Sequence, residues 1–283
     1  MPSLSFIIPA YNEAESIAAV VRDIQAHFAA EEIEIIAVDD GSTDQTAAEA
    51  ENAGSAVVRH PRNLGYGASL KSGISRARGD WVLFMDADGQ HRAAEARKLW
   101  EAAGPNDMVV GKRLRLIHSP LWRMPGKWLL SWMAGYLVRR RIPDLNSGLR
   151  LIKRPLAARY MSLCPKGFSF STTITLILIQ QGCEVAYVPI EVGKRRGKSR
   201  VSPATGFETL LLVLRLATLI NPLRLFLPLS AGLGLIGVLW GIPYFLAGHG
   251  ISIGSLLAIV TALLLFAIGL ISDQISQMRL EKL

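Results

Sequence analysis

The 283 residues can hold one large domain or two ordinary ones, and the net charge of +8 hides a division more telling than its sum. Residues 1–111 carry nine Lys and Arg against seventeen Asp and Glu, whereas residues 112–224 carry twenty against four. That basic segment calls for an anionic surface. Because it abuts an uncharged stretch of membrane-spanning length, acidic lipid (about 1 kcal/mol per Lys or Arg near the surface) displaces nucleic acid as the partner it fits.

In chain order, the apolar runs Leu4–Ile8, Ile33–Val38 and Trp81–Met85 predict strands, with shorter ones at Ala56–Val58 and Met108–Val110. Between the first two, Ile17, Val20, Val21, Ile24 and Phe28 share one face of a helix. After the second, Ser42, Thr43 and Asp44 are N-cap candidates for a helix through Ala53. Strands alternating with helices predict an α/β domain with a mostly parallel sheet covered on both faces, of nucleotide-binding type.

Beyond residue 111 the pattern changes. Leu121–Val138 reads as a Trp-rich helix ending in Arg139-Arg140-Arg141, and Phe207–Ile220 as an apolar helix carrying Arg215 and closed by Asn221-Pro222. Each is either an interfacial helix, with aromatic and basic residues at headgroup level, or an ordinary core helix. From Leu225 to Ser272 there are 48 residues without Asp, Glu, Lys or Arg, enough for two spans of about 20 residues and a turn. The spans read as Leu225–Ala247 and Ile251–Ser272, joined at Gly248-His249-Gly250. A signal peptide is excluded because the apolar run lies at the other end of the chain. Arg215 and Arg224 precede the hairpin, Arg279 and Lys282 follow it, and its turn has neither Lys nor Arg. The positive-inside rule then places both termini and the N-terminal domain in the cytoplasm, on the plasma or inner membrane, with Cys164 and Cys183 reduced. The expected division is a domain over residues 1–206, a juxtamembrane helix over 207–224, and the two-span hairpin with a short tail over 225–283.

The strongest chemical signal is Asp86-Ala87-Asp88-Gly89-Gln90, directly after an apolar strand. Ligands of open α/β sheets gather beyond the carboxyl ends of the strands, and two carboxylates there, with room left for phosphate oxygens, suit Mg²⁺ or Mn²⁺. Pro9-Ala10-Tyr11-Asn12-Glu13 and Val38-Asp39-Asp40-Gly41-Ser42 bring further polar residues to two other strand ends. Each alone is ordinary turn chemistry; three at one sheet edge describe a crevice.

These stretches, with Asn63–Ser69 (NLGYGAS), Val110–Arg113 (VGKR), Asp144–Arg150 (DLNSGLR) and Arg195–Arg200 (RRGKSR), resemble the inverting glycosyltransferases of family 2, and within them the polyprenol- and dolichyl-phosphate sugar synthases. The resemblance implies a GT-A fold, a Rossmann-like sheet with an Asp-x-Asp metal motif. It implies that Pro9, Tyr11, Glu13, Val38 and Asp40 hold the nucleoside, and that Asp86, Ala87 and Asp88 meet the ribose and diphosphate. Asp86, Asp88 and Gln90 would surround the metal, and Arg113 would reach the diphosphate or sugar. The late basic loop would close over the donor phosphates through Lys194 or Arg195 together with Arg200; here Lys194 stands where the family has Arg, and Lys lacks Arg's bidentate fork. Asp144 would serve on the acceptor side, and Arg139, Ser147 and Arg150 would meet the acceptor phosphate.

The implied reaction moves a sugar from a UDP- or GDP-sugar to a polyprenyl phosphate at the cytoplasmic membrane face. A phosphate monoester, with a second pKa of about 6, is a ready nucleophile and needs no strong general base. In agreement, Phe170–Thr175 lacks the carboxylate that hydroxyl-directed relatives carry there. Two rival readings stay open at this stage: transfer to a hydroxyl of a lipid-linked glycan in envelope polysaccharide synthesis, and a membrane sugar-nucleotide binder without turnover.

Overall fold

The computed structural model describes residues 3–114, 132–145, 147–167, 169–193 and 214–281. They fall into two compact units, one holding residues up to 114 and from 141 to 193, the other holding 132–140 and 214–281.

In the first unit the predicted strands form and two more join them. β1 (Leu4–Ala10), β2 (Ile33–Asp39), β3 (Ala56–Arg59), β4 (Trp81–Phe84), β5 (Met108–Arg113), β6 (Arg150–Lys153) and β7 (Val185–Ile190) make one sheet in the order 3-2-1-4-6-5-7. β1 runs parallel to both β2 and β4, with Pro9 opposite Val38 and Ile7 opposite Phe84. The chain winds from β1 outward to β3 and then returns to lay β4 on the other side of β1. That reversal is where open α/β sheets leave a ligand crevice. β6 alone is antiparallel to its neighbours, β4 and β5, and β7 is again parallel to β5. Neither β6 nor β7 is anticipated by the apolar runs, because Arg150–Lys153 begins and ends in a charge and Val185–Ile190 contains a proline.

Alternation along β1 sends side chains to two cores. On one face Phe6 and Ile8 pack on α1 (Ile17–His27), whose Ile17, Val20, Val21 and Ile24 are buried as the periodicity predicts, and Phe6 meets Phe28 edge-on at 4.9 Å. α2 (Thr46–Asn52) starts later than its expected cap at Ser42–Asp44. Those side chains are used locally instead: Ser42 Oγ accepts the Asn12 amide at 2.9 Å, and Asp44 Oδ1 accepts the Thr46 amide at 3.0 Å. On the opposite face α3 (Tyr66–Arg76) lays Gly73 against Ile7, and Phe84 meets Phe170 of a later helix edge-on at 6.0 Å. α4 (Ala93–Glu101) and α5 (Arg154–Tyr160) complete the cover, with α6 (Phe170–Gln180) buried over residues 170–179. Cys164 and Cys183 are both free thiols, and burial pushes the Cys164 thiol up to about 12.

The second unit holds helical residues 132–138 and 214–220 and two long apolar helices, α7 (Pro222–Leu246) and α8 (Ile253–Glu281). Of the two helices expected at Leu121–Val138 and Phe207–Ile220, residues 121–131 and 207–213 lie outside the described residues. Within the unit, Trp132 stacks on Tyr136 at 5.8 Å, the Tyr136 hydroxyl donates to Arg224 O, and Arg224 Nη1 donates to Leu137 O at 2.6 Å. Residues 132–140, assigned from the sequence to the first domain, thus belong with the second unit.

α7 and α8 are each long and apolar enough to span a membrane, and only 11% and 17% of their most apolar stretches are buried. They touch through small residues, with Ser255 Oγ donating to Gly237 O at 2.8 Å, while Leu239, Leu257 and Leu263 face outward. α8 continues past the expected end at Ser272, and Gln277 donates to Asp273 at 2.6 Å one turn back. A helix leaving the apolar zone keeps its hydrogen-bonded backbone and needs no break at the first charge.

Candidate active site

Three strand ends build the crevice edge. After β1, Asn12 adopts a left-handed φ of 54°, its amide donates to Ser42 Oγ, and its side-chain oxygen accepts the Thr43 amide at 2.8 Å. The Glu13 amide donates to Thr46 Oγ1 at 2.8 Å, so the β1 and β2 loops are stitched side chain to backbone. Val38 is fully buried, which leaves only its backbone for a nucleoside. Asp40 is buried and its carboxylate accepts from the Leu64 and Gly65 amides at 2.9 Å each, with the His60 ring at 2.7 Å. It therefore ties the 60–65 loop to β2, a fixed acceptor rather than an open one.

After β4, the backbone turns at Gly89, whose φ of +69° suits glycine, and the Gln90 amide donates to Asp88 Oδ1 at 3.1 Å. Asp88 and Ala87 are buried and Asp86 is half-buried. A Cβ at residue 148 would lie 2.4 Å from Asp86 Oδ2, so the carboxylate rests directly on the Gly148 backbone. His91 is buried next to Asp88, with burial the main cause lowering its pKa, and its Nδ1 has no partner among the described residues.

Arg113, at the end of β5, and Asp144 are brought together. Nε and Nη2 of Arg113 donate to Oδ2 and Oδ1 of Asp144 at 2.8 and 2.9 Å, a bidentate fork that raises the Arg113 pKa. The sequence names these two residues separately; their pairing, 31 positions apart, is a product of the fold. Asp144 is thereby an anchor for a cation rather than a free base.

Two expectations for the acceptor phosphate are corrected. Arg150 is fully buried, with Nε donating to Ser147 O at 2.7 Å, Nη2 to Leu145 O at 2.7 Å, and Nη1 to Ser171 O at 2.9 Å and to Thr175 Oγ1. Every arm of its guanidinium is used inside the protein, so it presents nothing to a lipid phosphate. Ser147 is likewise fully buried. Arg139 is exposed with a φ of 53°, and it lies in the second unit. Lys194, Arg195 and Arg200 lie outside the described residues; the last described residue before them, Gly193, donates its amide to Gln90 O at 2.9 Å.

Sequence reasoning passed over His60, Tyr66, Gly148 and Ser171. Tyr66 lies inside the NLGYGAS stretch, and its hydroxyl is hydrogen-bonded to Asp86 and Ser171. The available signal was the run of hydroxyls Ser171, Thr172, Thr173 and Thr175 in a helix whose other residues, Phe170 and Gln180 apart, are Ile and Leu.

The family model for glycosyl transferase family 2 matches residues 5–161, and that for the GtrB C-terminal hairpin matches residues 221–278. The chain belongs to glycosyltransferase family 2. This transferase is 29% identical over 247 residues to the undecaprenyl-phosphate 4-deoxy-4-formamido-L-arabinose transferase of Pseudomonas aeruginosa (strain LESB58), covering 84% of the chain and 72% of that relative. It is 31% identical over 216 residues to the polyprenol monophosphomannose synthase of Mycolicibacterium smegmatis (strain ATCC 700084 / mc(2)155), covering 69% and 80% respectively. In fold, the family 2 domain resembles glucosyl-3-phosphoglycerate synthase from Mycobacterium tuberculosis, solved with Mn²⁺, UDP and phosphoglyceric acid. The TM-score is 0.61 at 19% identity, over 77% of this chain and 78% of that one. The expected GT-A architecture with a C-terminal apolar hairpin is therefore what the chain has.

Proposed function

We propose that this transferase moves a sugar, with inversion, from a UDP- or GDP-sugar to a polyprenyl phosphate at the cytoplasmic face of the plasma or inner membrane. The observation that carries the proposal is that one chain holds both the carboxylates after β4 and an apolar hairpin of the GtrB type. Relatives named for undecaprenyl-phosphate and polyprenol substrates support the same acceptor here.

The donor set fits a divalent cation. Asp86, Asp88 and Gln90 offer hard oxygens, and among the described residues no cluster of three His, Cys, Asp or Glu would enclose an ion by itself. Mg²⁺ and Mn²⁺ are held by one or two protein carboxylates and keep positions open for substrate phosphates. When bound, such an ion neutralises charge growing on the leaving diphosphate. The chain's own residues do the rest. Asp40 fixes the loop beside the nucleoside, and Pro9, Tyr11, Glu13, Val38 and Ala87 line its strand ends. Arg113, oriented by Asp144, supplies a cation for the diphosphate or sugar. Lys194 or Arg195, with Arg200, would neutralise the same phosphates.

The acceptor phosphate attacks the anomeric carbon as an anion and gives up no proton to a base. α6 presents Ser171, Thr172, Thr173 and Thr175 and no carboxylate, consistent with that. Arg139 is left as the proposed cation for the acceptor phosphate, and the basic flanks of the hairpin favour a cytoplasmic catalytic unit.

The test uses purified full-length protein in detergent with polyprenyl phosphate and a panel of radiolabelled UDP- and GDP-sugars, with and without EDTA. Metal-dependent passage of label into the organic phase from one donor is the expected result. Nucleotide binding without transfer from any donor would contradict it.

A further inference from the structure

Asp86 is braced from behind by residues that come from three separate stretches of sequence. One oxygen lies on the Gly148 backbone, where any side chain would collide. The Tyr66 hydroxyl, at the first position of α3, donates to the same carboxylate and accepts from the Ser171 hydroxyl. Ser171 O in turn accepts from Arg150 Nη1 at 2.9 Å and from Thr175 Oγ1 at 2.7 Å. The other arms of Arg150 hold Leu145 O and Ser147 O, the carbonyls just before Gly148. One guanidinium therefore clamps both supports of Asp86: the loop that carries Gly148 and the helix turn that carries Ser171.

The choice of residues is costly unless it does something. A buried cation without a carboxylate bonded to it gives up its hydration with no counter-ion in its place; burial pushes Arg150 down to about 10, still charged at neutral pH. A phenylalanine at residue 66 would fill the same space without a polar atom to satisfy. An ionised carboxylate can only accept, so the Tyr66 hydroxyl is a donor of fixed direction toward Asp86. Among the described residues the hydrogen bonds of Arg150 all end on neutral acceptors, so its charge is not cancelled at contact and acts on Tyr66, Tyr187 and Asp144 around it.

We infer that Tyr66 is a positioning residue for Asp86, held by a buried relay running from Arg150 through Ser171, and that this relay presets the carboxylate for a divalent cation. The inference rests on the proposed role of Asp86 and Asp88. Second-sphere partners of this sort typically contribute about 10- to 100-fold in metal affinity.

The experiment titrates Mn²⁺ into full-length protein in detergent with UDP, and in parallel GDP, following the loss of the free Mn²⁺ electron paramagnetic resonance signal. Tyr66→Phe is expected to weaken Mn²⁺ binding by about 10-fold or more, with metal-free nucleotide affinity and melting temperature unchanged. Ser171→Ala should move the same quantity in the same direction by less, and it carries the test if Tyr66→Phe fails to fold. Asp86→Asn serves as the reference and should abolish Mn²⁺ binding. Wild-type Mn²⁺ affinity in the folded relay variants, with Asp86→Asn defective, would overturn the relay alone. Wild-type affinity in Asp86→Asn, or no Mn²⁺ binding by the wild type, would remove the site reading and the relay with it.

Discussion

α6 and α7 are both strongly apolar, yet they solve opposite problems. In α6, eleven residues and about 16 Å long, every residue from Phe170 to Ile179 is buried. In α7, twenty-five residues and about 37 Å long, only Pro222, Ser230 and Gly237 are buried. Apolar content alone does not separate a core helix from a membrane span; length against a hydrocarbon thickness of about 30 Å does. The second difference is in the hydroxyls. Those of α6 serve the catalytic unit, with the Thr175 hydroxyl accepting from Arg150 and the Ser171 hydroxyl bonded to Tyr66. Those of the hairpin close a helix–helix contact, as Ser255 does on Gly237.

That contrast can be broken most forcefully with a charge. Leu176→Asp, fully buried in α6, should unfold the catalytic unit, a loss above about 4 kcal/mol, seen as disappearance of the nucleotide-stabilised melting transition. Leu239→Asp, 61% exposed on α7, should leave that transition in place. It should instead cost about 2.5–3.5 kcal/mol of membrane insertion, read from the carbonate-resistant membrane fraction. Thr175→Val removes an acceptor from a buried guanidinium and should destabilise the catalytic unit by about 1–3 kcal/mol in denaturant titration, with the hairpin unaffected. Gly237→Val puts a Cβ 2.9–3.1 Å from Ile259, Ala258 and Ser255 O; it should cost the hairpin about 1–3 kcal/mol in detergent melts while metal-dependent nucleotide binding persists.

The smallest effect lies on the surface of the sheet. Asp107 receives Lys153 Nζ at 2.8 Å and the Glu184 amide at 2.9 Å, and Lys153 first, then that amide, lower its pKa. A carboxylate depressed in the folded state contributes stability above its unfolded value and loses it as pH falls through the folded one. Asp107→Asn should therefore be less stable by about 0–1 kcal/mol at neutral pH, and the gap to wild type should close in strong acid.

Much of this was legible in the sequence because it is local. The apolar strands, the Asp86–Gln90 turn and the uncharged 225–272 stretch each declare themselves within a few residues or by length. What escaped is what depends on partners far along the chain. Arg150 reads as a cation for the acceptor phosphate until Leu145, Ser147, Ser171 and Thr175 are seen to saturate it. Asp144 reads as an acceptor-side carboxylate until Arg113 is found in its fork. Tyr66 was within a quoted motif, but nothing near it in sequence names Asp86 or Ser171 as its partners. β6 escaped for the same reason, since a strand beginning at a buried arginine has no apolar signature.

The measurement that bears most directly on the account is a choice of acceptor. Full-length protein in detergent, given its radiolabelled nucleotide-sugar and divalent metal, is offered polyprenyl phosphate and, separately, the same polyprenol without phosphate and a lipid-linked glycan with free hydroxyls. The account predicts label on polyprenyl phosphate alone, at the end of the chain where no base is needed. Label on the glycan with none on polyprenyl phosphate would contradict it and would call for a catalytic carboxylate that α6 does not supply.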